Sequence, residues 1–394
     1  MDNNKKPKVV FTFVEAGMGH MVPMTGLYEA FSKKYGDKCE VIKSYIFSDS
    51  KYESVSNVGK ELCQATKLAA NNIFYNKFEK FAYYLSPEFT HFVLDAHFGK
   101  AVDDFIDELA EINPDMTVAT YYLPTHLAAL ANKRGKTNTL TVTYTPDPYV
   151  YPAWDSDCDA FLVNNDAGKE WAIKRGFDES TVKQIPFIYR EQILNQNKNK
   201  DAAREALGLD KNKFQILVTS GAYGAKKTEK LVQKLITCDL NVEVTIVCGY
   251  NNQLKESMEA LSQEKKDNVN FNVVGFTDKM AEYMVAADVL IGKSGMNTIM
   301  ESAYLGTPPI INEAANRLEE IIGDFFVKEG IALREQNPEK IIEIIGNCIE
   351  DKDYLKDYRD NFSKYDRVDG AERGADLIFE ILKKRFPELE EKVV

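Results

Sequence analysis

The hydrophobic positions of the chain form short apolar runs separated by amphipathic stretches. In the first 190 residues the runs are KVVFTFV, CEVIKSYIF, MTVATYYL, TLTVTYT and AFLVNN, with helical periodicity in GLYEAFSKKYG, AVDDFIDELAEI and AGKEWAIKRGF between them. Continuous β-branched and aromatic runs that alternate with helices are typical of a parallel sheet covered on both faces. The first half is therefore predicted to be an α/β domain.

The same alternation returns after a polar, lysine-rich interval. Residues 191–212 contain one short helical pattern, and the apolar runs FQILVTS, EVTIVCG, VNFNVVGF, ADVLIGKSG and TPPIIN follow them. We predict two Rossmann-like domains, 1–190 and 213–394, with parallel sheets facing across a cleft and residues 191–212 as a linker. The last helix is expected to pack back on the first domain.

Composition and charge exclude several classes of protein. An apolar content of 44% with 28% charged residues is that of a soluble globular protein. We expect no signal peptide, and no window approaches the roughly 18 apolar residues of a membrane span. The six cysteines form no CxxC pair, which indicates reduced cytosolic thiols. A net charge of −12 argues against nucleic-acid binding.

The first apolar run leads into the stretch VEAGMGHMVPM, residues 14–24. Gly17 and Gly19 allow backbone conformations closed to other residues, and Pro23 suits the first turn of a helix. The stretch is therefore predicted to be a strand, a tight turn and a helix, with His20 at the turn. Open α/β sheets bind ligands at such turns.

Two turns of the second half favour anion binding. The stretch SGAYGAKKTEK places Ser220, Gly221 and Gly224 between a strand and a helix start, and GKSGMNT repeats the arrangement with Ser294 and its neighbours. Free backbone N–H groups and the helix dipole attract a diphosphate at such places. Each turn alone is equally typical of an ordinary connection between a strand and a helix.

As a set, these segments resemble a known family. AGMGHMVPM, PTHLAAL and YTPDPYVYPAWDSDCDAFLVNN in the first half, and LVTSGAYGA, VCGYN, VVGFTDKMAEYMVAADVLIGKSG, ESAYLGTPPI and FFVKEGIAL in the second, stand in the family's order over nearly the whole chain. The chain resembles GT-B glycosyltransferases of the family 28-like group that includes MurG, monogalactosyldiacylglycerol synthases and processive diacylglycerol glucosyltransferases.

The resemblance implies an inverting transferase that moves a hexose from a UDP-sugar to a hydroxyl, on a diacylglycerol-type or polyprenyl-linked lipid. It implies that Glu301 holds the ribose, that backbone groups around Phe276 meet the uracil, and that no metal or other cofactor is needed. The residues expected to bind the donor are Gly19, Ser220, Gly221, Tyr223, Gly224, Gly249, Gly275, Phe276, Thr277, Met280, Lys293, Ser294, Gly295, Met296, Asn297, Thr298, Glu301, Asn316 and Glu319.

The expected catalytic residues lie in the first half. His20 matches the histidine of the family's turn and can accept the acceptor's proton, because a neutral imidazole is a base near neutral pH. Asp147 is an alternative base, a residue that orients the acceptor, or an ordinary turn residue. Acceptor contacts are expected from Gly17, Met18 and His126.

The sequence departs from the family at two positions. Tyr151 stands where relatives often carry a histidine, and Leu318 stands where relatives carry a glutamine that grips the donor sugar. The donor sugar is therefore left open, with Asn316 as a replacement for the glutamine. A UDP-sugar epimerase of the same fold and a catalytically inert UDP-sugar sensor are the alternative functions.

Two further stretches bear on metal and membrane binding. Asp155–Asp159, DSDCD, resembles a metal-binding DxD motif, but it is interpreted as a solvated loop. Glu61–Phe89 has apolar residues at helical spacing, which suits a helix in a membrane interface and a buried helix equally. The expected location is the cytoplasm, with reversible contact at the inner face of the cell membrane.

Overall fold

The computed structural model describes residues 6–15, 18–69, 85–219, 226–314 and 316–390. The chain divides into two compact units: unit 1 consists of residues 1–190 and 367–394, and unit 2 of residues 191–366. In the part of the chain that is described, each unit contains one six-stranded sheet, and every pair of neighbouring strands is parallel. The predicted α/β class with two parallel sheets is thereby confirmed.

The sheet of unit 1 has the strand order β2-β1-β3-β4-β5-β6. Its central strands are rich in apolar and β-branched residues because helices cover both faces, and every residue of β3, β4 and β5 is buried. The strands are β1 (Lys8–Thr12), β2 (Glu40–Ser44), β3 (Met116–Ala119), β4 (Leu140–Tyr144), β5 (Ala160–Val163) and β6 (Val182–Gln184).

The helices of unit 1 build two apolar layers on this sheet. The first and last helices share one hydrophobic cluster with the strands, and the second, fourth and fifth helices share another. The helices are α1 (Met18–Tyr35), α2 (Glu53–Ala69), α3 (Pro87–Phe98), α4 (Lys100–Ile112), α5 (Tyr122–Lys133), α6 (Asp166–Lys174) and, from the end of the chain, α16 (Gly370–Arg385).

Helix α16 packs closely against unit 1 through two glycines. A Cβ atom on Gly370 would lie 2.4 Å from the carbonyl oxygen of Pro186, and one on Gly374 would lie 2.3 Å from a methyl group of Leu27 in α1. Side chains farther along α16, including Ile378, join the core of unit 1. The C-terminal residues 367–390 therefore pack with unit 1.

The sheet of unit 2 has the order β12-β11-β10-β7-β8-β9. Its carboxyl ends all lie at one edge because the strands are parallel. The strands are β7 (Phe214–Thr219), β8 (Val242–Val247), β9 (Val269–Val274), β10 (Val289–Lys293), β11 (Pro309–Glu313) and β12 (Leu333–Arg334). The two-residue strand β12 was not predicted, because its apolar run is too short to stand out.

The helices of unit 2 include two in the interval that was expected to be a linker. Arg204, in the second of these, is buried and donates to the backbone oxygen of Ala286 at 2.9 Å, so residues 191–212 are part of this unit. The helices are α7 (Glu191–Leu194), α8 (Lys200–Leu207), α9 (Lys226–Ile236), α10 (Asn252–Leu261), α11 (Met280–Ala286), α12 (Met296–Tyr304), α13 (Arg317–Lys328), α14 (Pro338–Glu350) and α15 (Lys356–Asn361).

The first helix begins earlier than the sequence predicted. Helix α1 starts at Met18, so Pro23 lies inside the helix and not in its first turn. Proline there costs one hydrogen bond, the one that would reach back to the carbonyl of Gly19. Gly19 is itself helical and does not have a positive φ, so its expected special conformation is not used.

Candidate functional site

A cavity of about 280 Å³ opens in unit 2 where β7, β8 and β10 end. It is lined by expected donor ligands from the ends of the strands and from the segments that follow them: Gly249, Phe276, Met280, Lys293, Gly295, Thr298 and Glu319. Thr219, Val247 and Tyr250, which the sequence analysis did not single out, complete the lining. We call this space the donor cavity.

Helix α12 points its amino end into the donor cavity. Gly295 is the N-cap residue and has no side chain that could accept a hydrogen bond from the first turn. The N–H groups of a first helical turn have no partner within the helix, and the helix dipole favours negative charge there. Gly295 and Thr298 thus border a place suited to phosphate.

A charged pair lies at the wall of the donor cavity. Lys293 Nζ is 2.7 Å from Glu319 Oε1, and both side chains are mostly buried. The hydroxyl of Ser294 donates to the backbone oxygen of Glu319 at 2.6 Å, which ties the two segments together. Asn316 caps helix α13 by accepting from the N–H of Glu319 at 2.9 Å. The carbonyl oxygen of the Asn316 side chain is therefore already engaged in a hydrogen bond that caps the helix.

The other expected donor and acceptor residues fall into three groups: those near the same edge of unit 2, those outside the described residues, and those in unit 1. Glu301 follows Thr298 by one turn of α12 but is only 2% exposed and lies outside the lining of the cavity. Gly275, Thr277, Met296 and Asn297 flank residues that do line it. The turn with Ser220, Gly221, Tyr223 and Gly224 lies outside the described residues, as does Gly17. Gly19 and Met18 lie in the first turn of α1.

Two exposed aromatic rings stack at the mouth of the donor cavity. The centroids of Tyr250 and Phe276 are 4.4 Å apart with 17° between the planes. The side chains are 73% and 63% exposed, which is unusual for rings of this size in a folded protein. Gly249 has a φ of +59°, a conformation that favours glycine and turns the chain so that Tyr250 reaches this position. Tyr250 lies in the motif VCGYN, from which the sequence predicted only Gly249 as a donor-binding residue.

His20 lies in the first turn of α1 in unit 1. Its Nδ1 is 2.6 Å from the backbone oxygen of Thr120, just after β3. A carbonyl oxygen only accepts, so Nδ1 carries the proton and Nε2 keeps its lone pair. Burial lowers the pKa of His20 to about 4, although the hydrogen bond to Thr120 opposes this shift. The imidazole is therefore neutral at neutral pH.

Asp147 follows β4 in unit 1, two strands from β1 in the sheet. Its backbone N–H donates to the hydroxyl of Thr145 at 3.4 Å. Burial raises the pKa of Asp147 to about 7 because the charged form is poorly solvated there. A carboxyl group with such a pKa has the acid–base properties expected of a catalytic residue.

The second predicted histidine, His126, lies in a buried cluster of charged groups. Its Nδ1 donates to Asp155 at 2.8 Å and its Nε2 donates to Asp95 at 2.9 Å, while its ring stacks on His91 at 4.1 Å. Burial disfavours the charged imidazole, but the hydrogen bonds to Asp155 and Asp95 outweigh it and raise the pKa of His126 to about 9. His126 is thus an imidazolium held between two carboxylates.

This cluster corrects the interpretation of DSDCD as a solvated loop. Asp155 is only 4% exposed, since its carboxylate is paired with His126. His91 donates through Nε2 to the backbone oxygen of Ala153 at 3.1 Å. In the described part of the chain, ligand atoms of His91, His126 and Asp155 all lie within 4.8 Å of one another. An imidazolium with both nitrogens protonated has no lone pair for a metal ion, so the cluster as described is a charge pair and not a metal site. No spacing in the sequence marks these three residues as neighbours.

The segment Glu61–Phe89, which the sequence left open between a helix in a membrane interface and a buried helix, is described only in part. Residues 70–84 of the stretch Glu61–Phe89 lie outside the described residues. Of the helices that are described, none has the length and apolar character needed to cross a membrane.

Two family models match the chain, one in each half. Residues 215–373 match the model of the glycosyltransferase family 28 C-terminal domain, and residues 20–186 match that of monogalactosyldiacylglycerol (MGDG) synthase. The matches cover the donor cavity in unit 2, and His20, Asp147 and His126 in unit 1.

Known proteins resemble the chain over nearly its whole length. A processive diacylglycerol β-glucosyltransferase of Bacillus pumilus is 26% identical over 375 residues, which are 92% of this chain and 91% of the relative. The crystal structure of MurG from Acinetobacter baumannii superposes with a TM-score of 0.63 at 14% identity, covering 95% of this chain and 100% of MurG. A UDP-GlcNAc 2-epimerase from Neisseria meningitidis, bound to UDP-GlcNAc, has a TM-score of 0.57 at 14% identity, covering 96% and 100%.

The comparisons agree with the parallel sheet found in each half of the chain. They confirm the predicted GT-B fold and indicate that the chain is a glycosyltransferase, similar to the group that includes MurG, the monogalactosyldiacylglycerol synthases and the processive diacylglycerol glucosyltransferases.

Proposed function

We propose that the protein moves a hexose from a UDP-sugar to a hydroxyl group of a membrane lipid, with inversion at the anomeric carbon and without a metal ion. The observation that carries the proposal is the donor cavity, where an uncapped helix end, a lysine and two stacked rings surround one space. A lipid acceptor is supported by the diacylglycerol glucosyltransferase and by the MGDG synthase model, which match the chain. Reversible contact with the inner face of the cell membrane is part of this proposal.

The donor cavity divides into places for the parts of UDP. The uracil packs on Tyr250 and Phe276, because exposed rings offer an apolar face to a base. The diphosphate accepts hydrogen bonds from the first turn of α12 and is paired with Lys293. Glu301 takes the ribose hydroxyls, which requires its buried side chain to turn toward the cavity when UDP binds.

In the transfer step the acceptor oxygen forms the new bond to the anomeric carbon. UDP leaves with the electrons of the broken bond, and the helix end together with Lys293 offsets its charge. Nε2 of His20 takes the proton of the hydroxyl, since the hydrogen bond from Nδ1 to Thr120 fixes the ring with that lone pair free.

Transfer is tested with the purified full-length protein, a panel of UDP-sugars and vesicles that contain diacylglycerol. Mass spectrometry should find a lipid heavier by one hexose, and His20→Ala should lose this product while keeping the affinity of the protein for UDP. Failure of every donor to give a glycosylated lipid would contradict the proposal.

Binding of UDP is tested separately by calorimetry. Tyr250→Ala should weaken UDP binding by about tenfold, because one stacking face is worth about 1–3 kcal/mol. The matched control is Tyr354→Ala, which removes an exposed tyrosine of unit 2 that does not line the donor cavity. Equal UDP affinity in both variants would contradict the packing of uracil on Tyr250.

The epimerase of Neisseria meningitidis motivates a second candidate, since it shares the fold and was solved with a UDP-sugar bound. An epimerase would release an epimerised sugar nucleotide in the absence of lipid, which nuclear magnetic resonance of the reaction mixture detects. A catalytically inert sensor, suggested by Leu318, would bind the donor and change neither it nor the lipid. The transfer experiment therefore separates all three functions.

A further inference from the structure

A second and larger cavity, of about 600 Å³, lies at the opposite edge of the sheet of unit 2. Phe214 begins β7, Asn241 precedes β8 and Asp288 precedes β10, and all three line the cavity, so it lies at the amino ends of the strands. The donor cavity lies at the carboxyl ends. The two spaces therefore cannot be parts of one site, and we call this one the amino-edge cavity.

The lining of the amino-edge cavity is strongly basic. It contains the cationic residues Lys200, Arg204, Lys211, Lys213, Lys352 and Arg359, but only one acidic residue, Asp288. The chain as a whole carries a net charge of −12. A concentration of positive charge on so acidic a protein is not explained by composition, and it raises the local concentration of anions.

Part of this charge is neutralised within the protein. Arg204 and Lys200 share Asp288, at 2.8 and 2.9 Å, and Asp288 also accepts from the backbone N–H of Gln215. Lys211 is paired with Glu205 at 2.8 Å. These contacts hold α8 and the start of β7 in place, which is a structural role.

Three cations of the cavity, Lys213, Lys352 and Arg359, have no carboxylate partner among the residues that the structure describes. Lys213 donates to the backbone oxygen of Asn268 and to the side chain of Asn270, both uncharged. Arg359 donates to the backbone oxygen of Lys352 at 3.2 Å, again without a carboxylate. Cations that share one cavity repel each other, and an anion bound between them would remove that cost.

The shape of the cavity adds to the argument from charge. Its volume is that of a small-molecule site, and Phe214, Ile349 and Leu355 give it an apolar wall beside the cations. Arginine and lysine around a pocket are the side chains that recognise phosphate, arginine with paired N–H groups and lysine as a point charge.

We propose that the amino-edge cavity binds a phosphate-bearing anion at a site separate from the donor cavity, with Lys213, Lys352 and Arg359 as its main ligands. The anion is a soluble phosphorylated compound or the phosphate of a lipid headgroup, because both present the same group to the cations. The proposal does not depend on the transferase activity.

The test measures binding of pyrophosphate to the full-length protein by calorimetry, at low ionic strength and with UDP at saturation. Wild-type protein should bind pyrophosphate under these conditions, and the double variant Lys352→Gln/Arg359→Gln should bind it at least about tenfold more weakly. The matched control is Lys234→Gln/Lys266→Gln, which removes two exposed lysines of unit 2 that are paired with Glu339 and Asp239. The control should bind pyrophosphate as the wild type does.

A second arm replaces pyrophosphate by vesicles of phosphatidylglycerol and phosphatidylcholine, with sedimentation as the readout. If pyrophosphate binding depends on Lys352 and Arg359, the ligand is a soluble phosphorylated compound. If only vesicle binding depends on these two residues, the ligand is a lipid headgroup. The proposal is overturned if the cavity variant and the control variant behave alike in both arms, or if UDP displaces all bound pyrophosphate. If UDP itself fails to bind, the proposed function is contradicted, but the difference in pyrophosphate affinity between the two double variants still tests the amino-edge cavity.

Discussion

His20 and Asp147 are both candidates for the proton acceptor in unit 1, and their surroundings separate their pKa values. Burial lowers the pKa of His20 to about 4 and raises that of Asp147 to about 7. Burial acts in opposite directions because the imidazole is charged when protonated and the carboxyl group when deprotonated. The two residues therefore change protonation in different pH ranges, which lets a pH profile tell them apart.

The dependence of kcat/KM on pH should identify the base. With His20 in this role, kcat/KM should stay flat as the pH falls from about 8 to about 5 and decline only toward pH 4, and Asp147→Asn should keep this shape. The measurement is the initial rate of transfer at subsaturating donor. A decline centred near pH 7 that disappears in Asp147→Asn would assign the base to Asp147 instead.

His126 should make the stability of unit 1 depend on pH. Its folded-state pKa of about 9 lies above the usual 6.5, so its contribution is fully present below about pH 6.5 and is lost as the pH rises through 9. The free energy of unfolding of the wild type, relative to His126→Gln, should fall by on the order of 2–3 kcal/mol between pH 6 and pH 9.5. Denaturation followed by tryptophan fluorescence measures it, because Trp154 and Trp171 both lie in unit 1.

His97 provides the matched control for this prediction. It also pairs with a carboxylate, Glu61 at 2.6 Å, but both side chains are more than half exposed. An exposed pair is screened by water and contributes little to stability. His97→Gln should therefore track the wild type over the whole range, and parallel curves for His126→Gln and the wild type would refute the charged cluster.

At the scale of elements, the sequence predicted what local patterns determine. The runs in β3, β4 and β5 consist of apolar and β-branched residues because both faces of the strands are buried, and such runs can be recognised in the sequence alone. The turn into α12 could be predicted too, since Gly295 and the helix after it are adjacent in sequence. In contrast, Asp155 is buried and paired with His126, which lies 29 positions away in the sequence, so DSDCD by itself looks like a solvated loop.

The docking of α16 on unit 1 depends on close backbone contact at its first residue. A Cβ on Gly370 would lie 2.4 and 2.5 Å from the backbone oxygens of Pro186 and Phe187, which cannot move independently of the chain. Gly370→Ala should lower the free energy of unfolding of unit 1 by about 1–3 kcal/mol, the usual cost of overpacking. Tryptophan fluorescence during urea denaturation measures this loss.

Gly346→Ala tests whether any glycine in a helix would give the same result. Gly346 lies inside α14, and a Cβ there would meet only a methyl group of Leu240 at 3.9 Å, an ordinary contact. Alanine is favoured over glycine in a helix, so this variant should be as stable as the wild type or slightly more stable by far-UV circular dichroism. A loss in Gly346→Ala as large as that in Gly370→Ala would discredit the backbone contact as the cause.

At the scale of the whole molecule, the order of the chain and the division into units do not coincide. The chain builds most of unit 1, then all of unit 2, and returns to unit 1 with residues 367–394. The proposed donor site is formed within residues 191–366, whereas the core around His20's helix includes side chains from α16. The two halves of the proposed activity should therefore respond differently to the loss of the C-terminal segment.

A chain that ends at Asp366 should lose the fold of unit 1 and keep the nucleotide site of unit 2. It lacks Ala375, Ile378, Phe379 and Leu382, which are buried against α1 and the sheet. Each large apolar side chain is worth about 1.5–3 kcal/mol when buried, so their joint loss approaches the 5–15 kcal/mol that stabilises a typical domain.

The fluorescence transition of Trp154 and Trp171 should broaden or vanish in the truncated protein, while calorimetry should still detect UDP binding. A truncated protein with a wild-type fluorescence transition would show that α16 contributes little to unit 1, and loss of UDP binding would show that unit 2 depends on an intact unit 1.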